Sequence, residues 1–398
     1  MDNFSCFPQI NYLTIVPVSE GTLEQQIQDC YQKLSNLLVR KKNKKESIIK
    51  QTVFIKSGNN TQYYTTKAEI LQLSGNYYGF FVPTTIVSQK PENNVLLSME
   101  ITLLTNPENY KVHRKNFEGT AYTCIKNNSF SLLVSGGLAL NSKKTDIFRQ
   151  SHQAFSIMNE LLKLEGFSLS DVVRQWNYIE NITEFTVQNG SKSQHYQIFN
   201  DVRSEYYGQV HFKNGYPAAT GIGTNSGGVV VDFIAYKAVE EDNVYALKNP
   251  VQTDAHKYTH KVLEENNMVP KKTESTPKFE RAKLIVHHNG ATMFISGTAA
   301  IKGEQTIAQG DIDMQTRVTL ENIAILAGHE NLTAHGIHAS FNKKYFSLLR
   351  VYVKNETNIQ AVKNIIDELH PYCPCKIIQS DICRSNLLIE IEGVMEFE

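Results

Sequence analysis

Residues 291–301, ATMFISGTAAI, decide the fold, because an equivalent stretch occurs earlier in the chain. Residues 129–140, SFSLLVSGGLAL, show the same strand-like apolar run around a Ser-Gly pair. Each stretch is followed by the pentapeptide Asp-Ile-x-x-Gln, at residues 146–150 and 311–315. Self-similarity of this kind indicates two copies of one folding unit.

The residues after each pentapeptide predict an amphipathic helix. Apolar side chains recur every three or four positions over residues 147–162 and 312–326, which is the helical period. Asp146 and Asp311 precede these segments. There a carboxylate can accept hydrogen bonds from free backbone amides and complement the helix dipole.

The match continues through the rest of each copy. Residues 171–179 and 346–354 predict strands that carry a basic residue, and second helices follow around residues 195–208 and 359–371. A proline then precedes the closing strands of each copy. We therefore predict an α+β fold with two tandem βαβαββ units, each a mostly antiparallel sheet covered on one face by two helices.

The chain divides into four segments on this basis. Residues 1–125 form an N-terminal α/β segment, with a helix near residues 23–39, which is either a degenerate third unit or a separate cap. The other segments are a first unit at 126–240, a linker at 241–280 and a second unit at 281–398.

The composition excludes several classes of function. Forty Lys and Arg balance forty Asp and Glu, so the chain has no general electrostatic attraction to nucleic acid or to an anionic membrane. No apolar run approaches the roughly 20 residues of a membrane span. The chain shows no signal peptide, and six cysteines in 398 residues do not indicate a disulfide scaffold. We expect a cytoplasmic protein.

Glu390 and Glu392 are the first candidates for chemistry, because a strand would turn both toward one face of the sheet. A solvated acidic edge strand would explain them equally well. The alternative is a carboxyl group at the mouth of a pocket, with a pKa raised by burial, that acts as a general acid or base. Asp232 lies 15 residues after Pro217 and Glu390 lies 16 after Pro374, so both copies carry an acid there, which favours a role for Glu390.

Three further candidates could bind an anionic substrate. Arg203 and Tyr207 stand four residues apart and share one helix face, where they could simply pack together or could bind a carboxylate. Arg281 is either a linker ion pair or a second cation. Tyr178 lies in the same predicted strand as Arg174, next to the single tryptophan, and such a residue is more often core than site.

Cofactor and metal motifs are not recognisable. The glycine-rich residues 221–228 precede a strand rather than a helix, which argues against a dinucleotide or phosphate loop. The cysteines and histidines form no Cys-x-x-Cys or His-Glu-x-x-His pattern. We therefore expect neither a metal nor a cofactor.

The repeat over residues 130–398 resembles the RidA/YjgF-like superfamily, which has a chorismate mutase-like fold. Seven motifs together are similar to those of the chorismatase family, in which two RidA-like domains are fused in one chain. They are RQWNYI (174–179), FNDVRSEYYG (199–208), YPAATGIG (216–223), FERA (279–282), SGTAAI (296–301), GDIDMQ (310–315) and DICRSNLLIEIEG (381–393). The N-terminal third carries no comparable motif.

The resemblance implies a cofactor-free enzyme that removes the enolpyruvyl group of chorismate. Pyruvate would leave together with 3-hydroxybenzoate or a trans-dihydroxycyclohexadiene carboxylate. Glu390 would be the catalytic acid. Residues that would contact the substrate are Arg203, Tyr207, Arg281, Tyr178, Gly297, Thr298 and Ala299.

The resemblance also implies two positions that select the product. Ala299 matches the hydrolytic branch of the family, whereas Cys383, taken here as a catalytic residue, matches the 3-hydroxybenzoate branch. We favour 3-hydroxybenzoate.

Two other functions stay open. A RidA-type enamine/imine deaminase would use an arginine two residues after the proline, where this chain has Ala219 and Lys376. Lysine lacks the bidentate geometry of arginine, so we rank this function lower. The other alternative is a small-molecule-binding protein without catalysis. The expected partner is chorismate rather than nucleic acid or membrane, and the chain could be a monomer or a trimer.

Overall fold

The computed structural model describes residues 7–18, 20–93, 95–139, 146–188, 191–239, 243–259 and 275–398. Residues 260–274, part of the predicted linker, lie outside this range. The described residues contain three structural units in chain order.

The first unit has two helices and a four-stranded sheet with the strand order β1-β5-β2-β3. The short strand β4 instead pairs with the third unit. The elements are β1 (Ile10–Ile15), α1 (Leu23–Arg40), β2 (Ile48–Ile55), α2 (Asn60–Tyr78), β3 (Thr84–Val87), β4 (Lys90–Pro91) and β5 (Leu97–Leu104).

The second unit has the same core order, β8-β14-β10-β13, extended at one edge by β7 and β6. Its elements are β6 (Lys111–Phe117), β7 (Thr120–Lys126), β8 (Phe130–Ser135), β9 (Leu138–Ala139), α3 (Ile147–Leu164), β10 (Val172–Glu180), β11 (Phe185–Gln188), β12 (Ser191–Gln194), α4 (His195–Tyr207), β13 (Ala218–Thr224) and β14 (Val229–Ala238).

The third unit repeats that order once more, as β17-β22-β20-β21, with β16 and β15 added at the edge. Its elements are β15 (Val244–Leu247), β16 (Ala282–His287), β17 (Gly290–Thr298), β18 (Ile301–Lys302), β19 (Gln305–Thr306), α5 (Ile312–Leu326), α6 (His329–Ala334), β20 (Lys344–Val353), α7 (Ile359–Leu369), β21 (Cys375–Gln379) and β22 (Ile389–Phe397).

The N-terminal segment is therefore a third copy of the unit. In the main sheet of each unit the first core strand pairs antiparallel with the fourth, the fourth pairs antiparallel with the second, and the second pairs parallel with the third. This confirms the α+β fold and decides between the two alternatives for residues 1–125 in favour of the degenerate unit.

The helices of the two recognised repeats are confirmed. Asp146 caps α3 by accepting a hydrogen bond from the amide of Arg149 at 2.8 Å. Asp311 caps α5 in the same way, through the amide of Met314 at 3.0 Å. Both carboxylates satisfy a backbone donor that a helix start leaves free.

Two segment boundaries differ from the prediction. The hairpin of β6 and β7 pairs with β8, so the second unit begins near residue 111 rather than at 126. Strand β15 lies inside the predicted linker but pairs with β16 of the third sheet. Both differences concern added edge strands, and sheet membership depends on long-range pairing that local sequence does not encode.

Buried ion pairs join the three units where their sheets face one another. Each unit contributes one cation and one carboxylate, and each cation bonds to a carboxylate of a different unit. The pairs are Lys50–Asp232 at 2.5 Å, Arg174–Glu392 at 2.5 Å and Arg350–Glu100 at 2.5 Å. Arg350 binds Glu100 through two nitrogens, a geometry that holds a carboxylate in one orientation.

Replacing Lys50 by methionine is expected to lower the free energy of unfolding by about 3–5 kcal/mol, because it leaves the Asp232 carboxylate buried without its cation. The matched control is Lys33→Met, which removes an exposed pair with Asp29 and should cost less than about 1 kcal/mol. Urea unfolding measures both. Equal effects of the two changes would contradict a structural role for the buried pair.

Candidate active site

A pocket opens between the second and third units. It has about 820 Å³ of empty volume including its mouth, a size typical of small-molecule sites. Its walls come from α4 and β13 on one side, and from β17, β22 and nearby loops on the other. The lining residues are Gln194, Tyr196, Gln197, Asn200, Ala219, Gly221, Tyr258, Pro277, Phe279, Arg281, Gly297, Ala299, Ile301, Cys383, Arg384, Leu387 and Glu390.

Side-chain hydroxyls hold the two units together beside this pocket. The amide of Ala219 donates to Ser296 Oγ at 2.9 Å. In the opposite direction, the amide of Gly297 donates to Thr220 Oγ1 at 3.0 Å. Each hydroxyl belongs to the strand that faces the donor, so β13 and β17 stay in a fixed register on either side of the pocket.

Glu390 carries the one carboxyl group among the described residues that line this pocket. Its side chain lies on β22 and the residue is only 5% exposed. Burial, and secondly the charge of Glu392, raise the pKa of Glu390 to about 8, although Arg174 and Arg281 oppose the shift. At neutral pH the carboxyl group is therefore protonated and can donate a proton.

Glu392, two residues along the same strand, has the opposite charge state. It accepts hydrogen bonds from Arg174, from the Trp176 indole at 2.8 Å and from Arg350 at 3.1 Å. Burial alone would raise its pKa, but these cations and donors hold the pKa below the ordinary glutamate value. Two neighbouring carboxyl groups with separated pKa values are a common arrangement for acid catalysis.

The predicted equivalence of Asp232 and Glu390 is wrong. The second core strand of each of these two units, β10 or β20, carries a bulge. When residues of this strand are counted from the bulge, their partners on the neighbouring strand align Asp232 with Glu392 and Val230 with Glu390. The residues paired across the sheet are Trp176 with Asp232, Arg350 with Glu392, Tyr178 with Val230, and Tyr352 with Glu390. Spacing from the prolines misled, because the connection from β21 to β22 is longer than that from β13 to β14.

Gly297 makes room for the acid. A Cβ atom at this position would lie 1.9 Å from Glu390 Oε1 and 2.9 Å from its Cδ. Such distances are far shorter than a nonbonded contact allows. The glycine of the Ser-Gly pair in β17 is thus required for the observed position of the Glu390 carboxyl group.

Arg281 brings a cation into the same pocket, as the sequence analysis proposed. The residue is 4% exposed, and its guanidinium donates to the Thr253 carbonyl and, at 2.9 Å, to Tyr258 Oη. Its Nε is buried and has no hydrogen-bond partner among the described residues. An unpaired buried donor of this kind is costly unless a ligand accepts from it.

Arg203 lies behind the wall of the pocket rather than on it. Its Nη2 donates to Asn200 Oδ1 at 2.6 Å, and Asn200 lines the pocket. Asn200 Nδ2 and Arg203 Nε are buried without a partner among the described residues. Because Arg203 occupies the amide oxygen of Asn200, the amide nitrogen is left as the donor available to a ligand.

Besides Arg203, three predicted contact residues do not lie on the pocket wall. Tyr178 is fully buried at the junction of the units, where its hydroxyl accepts from Arg350 at 2.9 Å. Tyr207 donates to Gln175 at 2.6 Å inside the second unit. Thr298 donates to its neighbouring Ser296 carbonyl at 2.9 Å, because strand alternation turns it away from Gly297 and Ala299.

Cys383 and Ala299 both line the pocket. Burial, and then the proximity of Glu390, raise the pKa of the Cys383 thiol to about 12. Cys383 is thus a neutral thiol at physiological pH rather than a thiolate nucleophile. It can influence a reaction by its shape and weak polarity.

Several polar residues of the wall were not predicted from the sequence. They are Gln194, Tyr196, Gln197, Asn200, Tyr258 and Arg384. Arg384 donates to the Glu304 carbonyl at 2.8 Å. Because it follows Cys383 directly in the sequence, it could have been predicted as a pocket residue together with Cys383. Tyr258 lies in the predicted linker, where no sequence motif indicates a pocket residue.

The position required for a deaminase differs from this pocket. Lys376 is fully buried in β21 and is not among the residues of the wall, while Ala219, which does line it, carries no charge. Nothing in this site favours the deaminase.

Among the helices that the structure describes, none has the length and apolar character needed to span a membrane.

Comparison with known proteins identifies relatives of this chain. A family model described as chorismatase FkbO/Hyg5-like, N-terminal, matches residues 109–235, which is close to the extent of the second unit. A 3-hydroxybenzoate synthase of Streptomyces hygroscopicus is 33% identical over 249 residues, covering 61% of this chain and 68% of that protein. A chorismatase of Streptomyces rapamycinicus is 32% identical over 228 residues, covering 56% of this chain and 64% of that protein.

A solved structure confirms the whole fold. A crystal structure of a chorismatase covers 99% of this chain and 99% of its own, with a TM-score of 0.67 and 21% sequence identity. The agreement includes the N-terminal unit, for which the sequence offered no motif.

Proposed function

This chain belongs to the chorismatase family, and we propose that it removes the enolpyruvyl group of chorismate without a cofactor, with Glu390 as the proton donor. The observation that carries the proposal is a buried carboxyl group with a pKa near 8 in a pocket that also holds arginine side chains. The relatives named chorismatase and 3-hydroxybenzoate synthase support it.

The first step is protonation of a carbon atom. Chorismate carries an enol ether, and Glu390 donates its proton to the terminal methylene carbon, which leaves an oxocarbenium ion at the ether carbon. The Glu390 carboxylate that results is stabilised by Arg174 and Arg281, the two cations that already act on its pKa. A buried acid poised near neutral pH is suited to this transfer.

Two routes lead on from this ion. In the hydrolytic route water adds to the ether carbon and returns a proton to Glu390, and the hemiketal collapses to pyruvate and the dihydrodiol. In the other route the neighbouring ring hydroxyl attacks the ring carbon that carries the protonated ether, the bond between that carbon and the ether oxygen breaks and pyruvate leaves, and the hydroxyl proton returns to Glu390. The resulting ring epoxide then opens and moves one ring hydrogen to oxygen, which gives the aromatic isomer 3-hydroxybenzoate.

The pocket offers separate donors for the two carboxylates of the substrate. Arg281 and Arg384 come from the third unit, and Asn200, held by Arg203, comes from the second. A dianion with distant carboxylates requires cations and donors on opposite walls, which a pocket between two units provides.

We propose 3-hydroxybenzoate as the aromatic product. Cys383 places a neutral thiol in the pocket near Glu390, and the 33% identical relative is named a 3-hydroxybenzoate synthase. Incubation of the protein with chorismate, with pyruvate assayed and ring products separated by chromatography, tests both parts. Pyruvate with the dihydrodiol would overturn the product, and no pyruvate would overturn the function.

The rate is expected to depend on pH through Glu390. Because the protonated form is the reactive one and its pKa is about 8, kcat should be constant near neutrality. Above pH 8 it should fall about tenfold for each further pH unit. A pH profile of pyruvate release measures this. A rate that stays constant to about pH 9.5 would contradict the assignment of the acid.

We propose that the protein acts as a monomer. The three units of one chain already pair cation to carboxylate in a closed ring, and the pocket is complete within the chain. Light scattering coupled to size-exclusion chromatography should give the mass of one chain, and a trimer mass would contradict the proposal.

A further inference from the structure

A second pocket lies between the first and second units. Its walls come from α2 and β3 of the first unit and from the β6–β7 turn and β9 region of the second, and it has about 1040 Å³ of empty volume including its mouth. Its lining residues are Lys67, Leu71, Ser74, Gly75, Tyr78, Phe80, Phe81, Val82, Thr84, Asn116, Glu118, Gly119, Thr120, Ala121, Gly137 and Ala139.

This pocket is the counterpart of the candidate active site at another junction of units. In both pockets a helix and the third strand of one unit face the Gly-x-Ala segment of the next, Gly137–Ala139 here and Gly297–Ala299 there. A Cβ atom at Gly137 would lie 2.9 Å from Val230 Cγ1, just as one at Gly297 would meet Glu390.

The counterpart cannot use the same chemistry. Val230 takes the place of the acid, and the carboxyl group that does line this pocket, that of Glu118, is exposed, so the pocket has no buried carboxyl group in the position of Glu390. The space between the units nevertheless persists, lined by several polar groups and by aromatic rings. A pocket of this size without a buried acid is suited to binding a ligand rather than to protonating one.

The lining indicates the chemistry of a ligand. Lys67 is partly buried, and burial is the sole cause that lowers the pKa of its ammonium group, with no contribution from a carboxylate of the described residues. Glu118 lies in the β6–β7 turn and does not contribute to that shift. Tyr78 and Phe80 supply aromatic surface, and Phe81 remains 59% exposed.

We propose that this second pocket binds a small aromatic carboxylate, with the carboxylate at Lys67 and the ring against Tyr78, Phe80 and Phe81. A single cation matches a single carboxylate, and aromatic side chains contact a planar ring over a large area. The hydroxybenzoate of the proposed reaction has this chemistry, but the binding does not depend on that reaction.

Gly75 provides a selective way to close the pocket. It lies on the pocket face of α2, and a Cβ atom there would have no neighbour within 4 Å. Gly75→Trp should therefore fill the space without displacing the wall. Gly75→Ala is the matched control, since it leaves the pocket open and changes the helix by the same backbone effect.

The probe is 3-fluorobenzoate, titrated into the full-length protein and followed by ¹⁹F NMR. We expect the unchanged protein to bind the probe between the first and second units, whether or not the pocket of Glu390 also binds it. This site should be lost in Gly75→Trp and kept in Gly75→Ala. Lys67→Gln should weaken that site at least tenfold, whereas Lys163→Gln, an exposed lysine on α3, should leave it unchanged.

Three results would overturn the proposal: no binding of the probe to the unchanged protein, binding that is unchanged in Gly75→Trp, or equal effects of Lys67→Gln and Lys163→Gln. A crystal grown with 3-bromobenzoate adds a direct location, since the anomalous bromine peak should lie between α2 and the β6–β7 turn. A peak confined to the pocket of Glu390 would also overturn it. These outcomes are independent of chorismate turnover and therefore do not depend on the proposed function.

Discussion

Replacement of Glu390 by glutamine is expected to lower kcat for pyruvate release from chorismate by about a thousandfold or more. Glutamine keeps the size and one hydrogen-bonding oxygen of the side chain but has no proton to give to the methylene carbon. General acid catalysis contributes about 10²–10⁴ to a rate, and no other described carboxyl group lines the pocket. Stopped assays of pyruvate measure the loss.

The same substitution should make the protein more stable at alkaline pH. The pKa of Glu390 is raised in the folded state, to about 8 from 4.5. The stability linked to its bound proton is therefore complete below pH 4.5 and is lost as the pH rises through 8. Glutamine cannot ionise, so at pH 8 the variant should melt at a higher temperature than the unchanged protein, which excludes unfolding as the reason for lost activity.

Glu396→Gln is the matched control for Glu390→Gln. Glu396 lies on the same strand, β22, and burial raises its pKa to about 7, yet it bonds to Thr292 and lies outside the pocket of Glu390. Its replacement should leave kcat within about twofold. Near-normal activity of Glu390→Gln, or an equal loss in Glu396→Gln, would contradict the role of Glu390 as the acid.

The fold was predictable where the two repeats resemble each other. The Ser-Gly pairs and the helices capped by Asp146 and Asp311 recur at matching positions, so the apolar periods indicate the same elements twice. The first unit has the same strand order without these motifs. Strand order depends on which apolar faces pack together, and many sequences satisfy that requirement. The similarity of the first unit to the two repeats is therefore visible only in the structure.

The site was predictable in part. Glu390, Arg281, Gly297, Ala299 and Cys383 all line one pocket, and each of them lies within a motif that the sequence displays. The sequence could not show which side of an element faces the pocket. Tyr207 follows Arg203 by one helical turn but lies inside the second unit.

The error over Asp232 has the same physical origin. Both Asp232 and Glu390 face the junction of the units, so alternation along a strand does not distinguish the position of Glu390 from that of Glu392. The register of the strand against its neighbour makes the distinction, and this depends on a bulge and on loop length. The second unit therefore keeps the carboxylate of the ion-pair ring, Asp232, and has Val230 in place of Glu390.

Gly297→Ala is expected to reduce kcat at least a hundredfold while the protein remains folded. The added methyl group would occupy the place of Glu390 Oε1, at 1.9 Å, so either the carboxyl group must rotate or β17 must shift against β13. A displacement of about 1 Å in a catalytic group can cost about 10² in rate. The hydrogen bond from the Gly297 amide to Thr220 opposes a shift of the strand, which leaves rotation of Glu390 as the easier response.

A double substitution separates this steric effect from general damage. Aspartate at position 390 is one methylene shorter, so Glu390→Asp alone draws the acid back from the substrate and should itself be slow. If the clash with the acid is the cause of the loss, adding Gly297→Ala to Glu390→Asp should lower kcat by less than about fivefold. Full additivity of the two losses would show that the alanine acts elsewhere, because independent sites add and sites in contact do not. The counterpart Gly137→Ala, which crowds Val230 rather than an acid, should leave kcat unchanged, because the unit to which it belongs has no proton donor at that position.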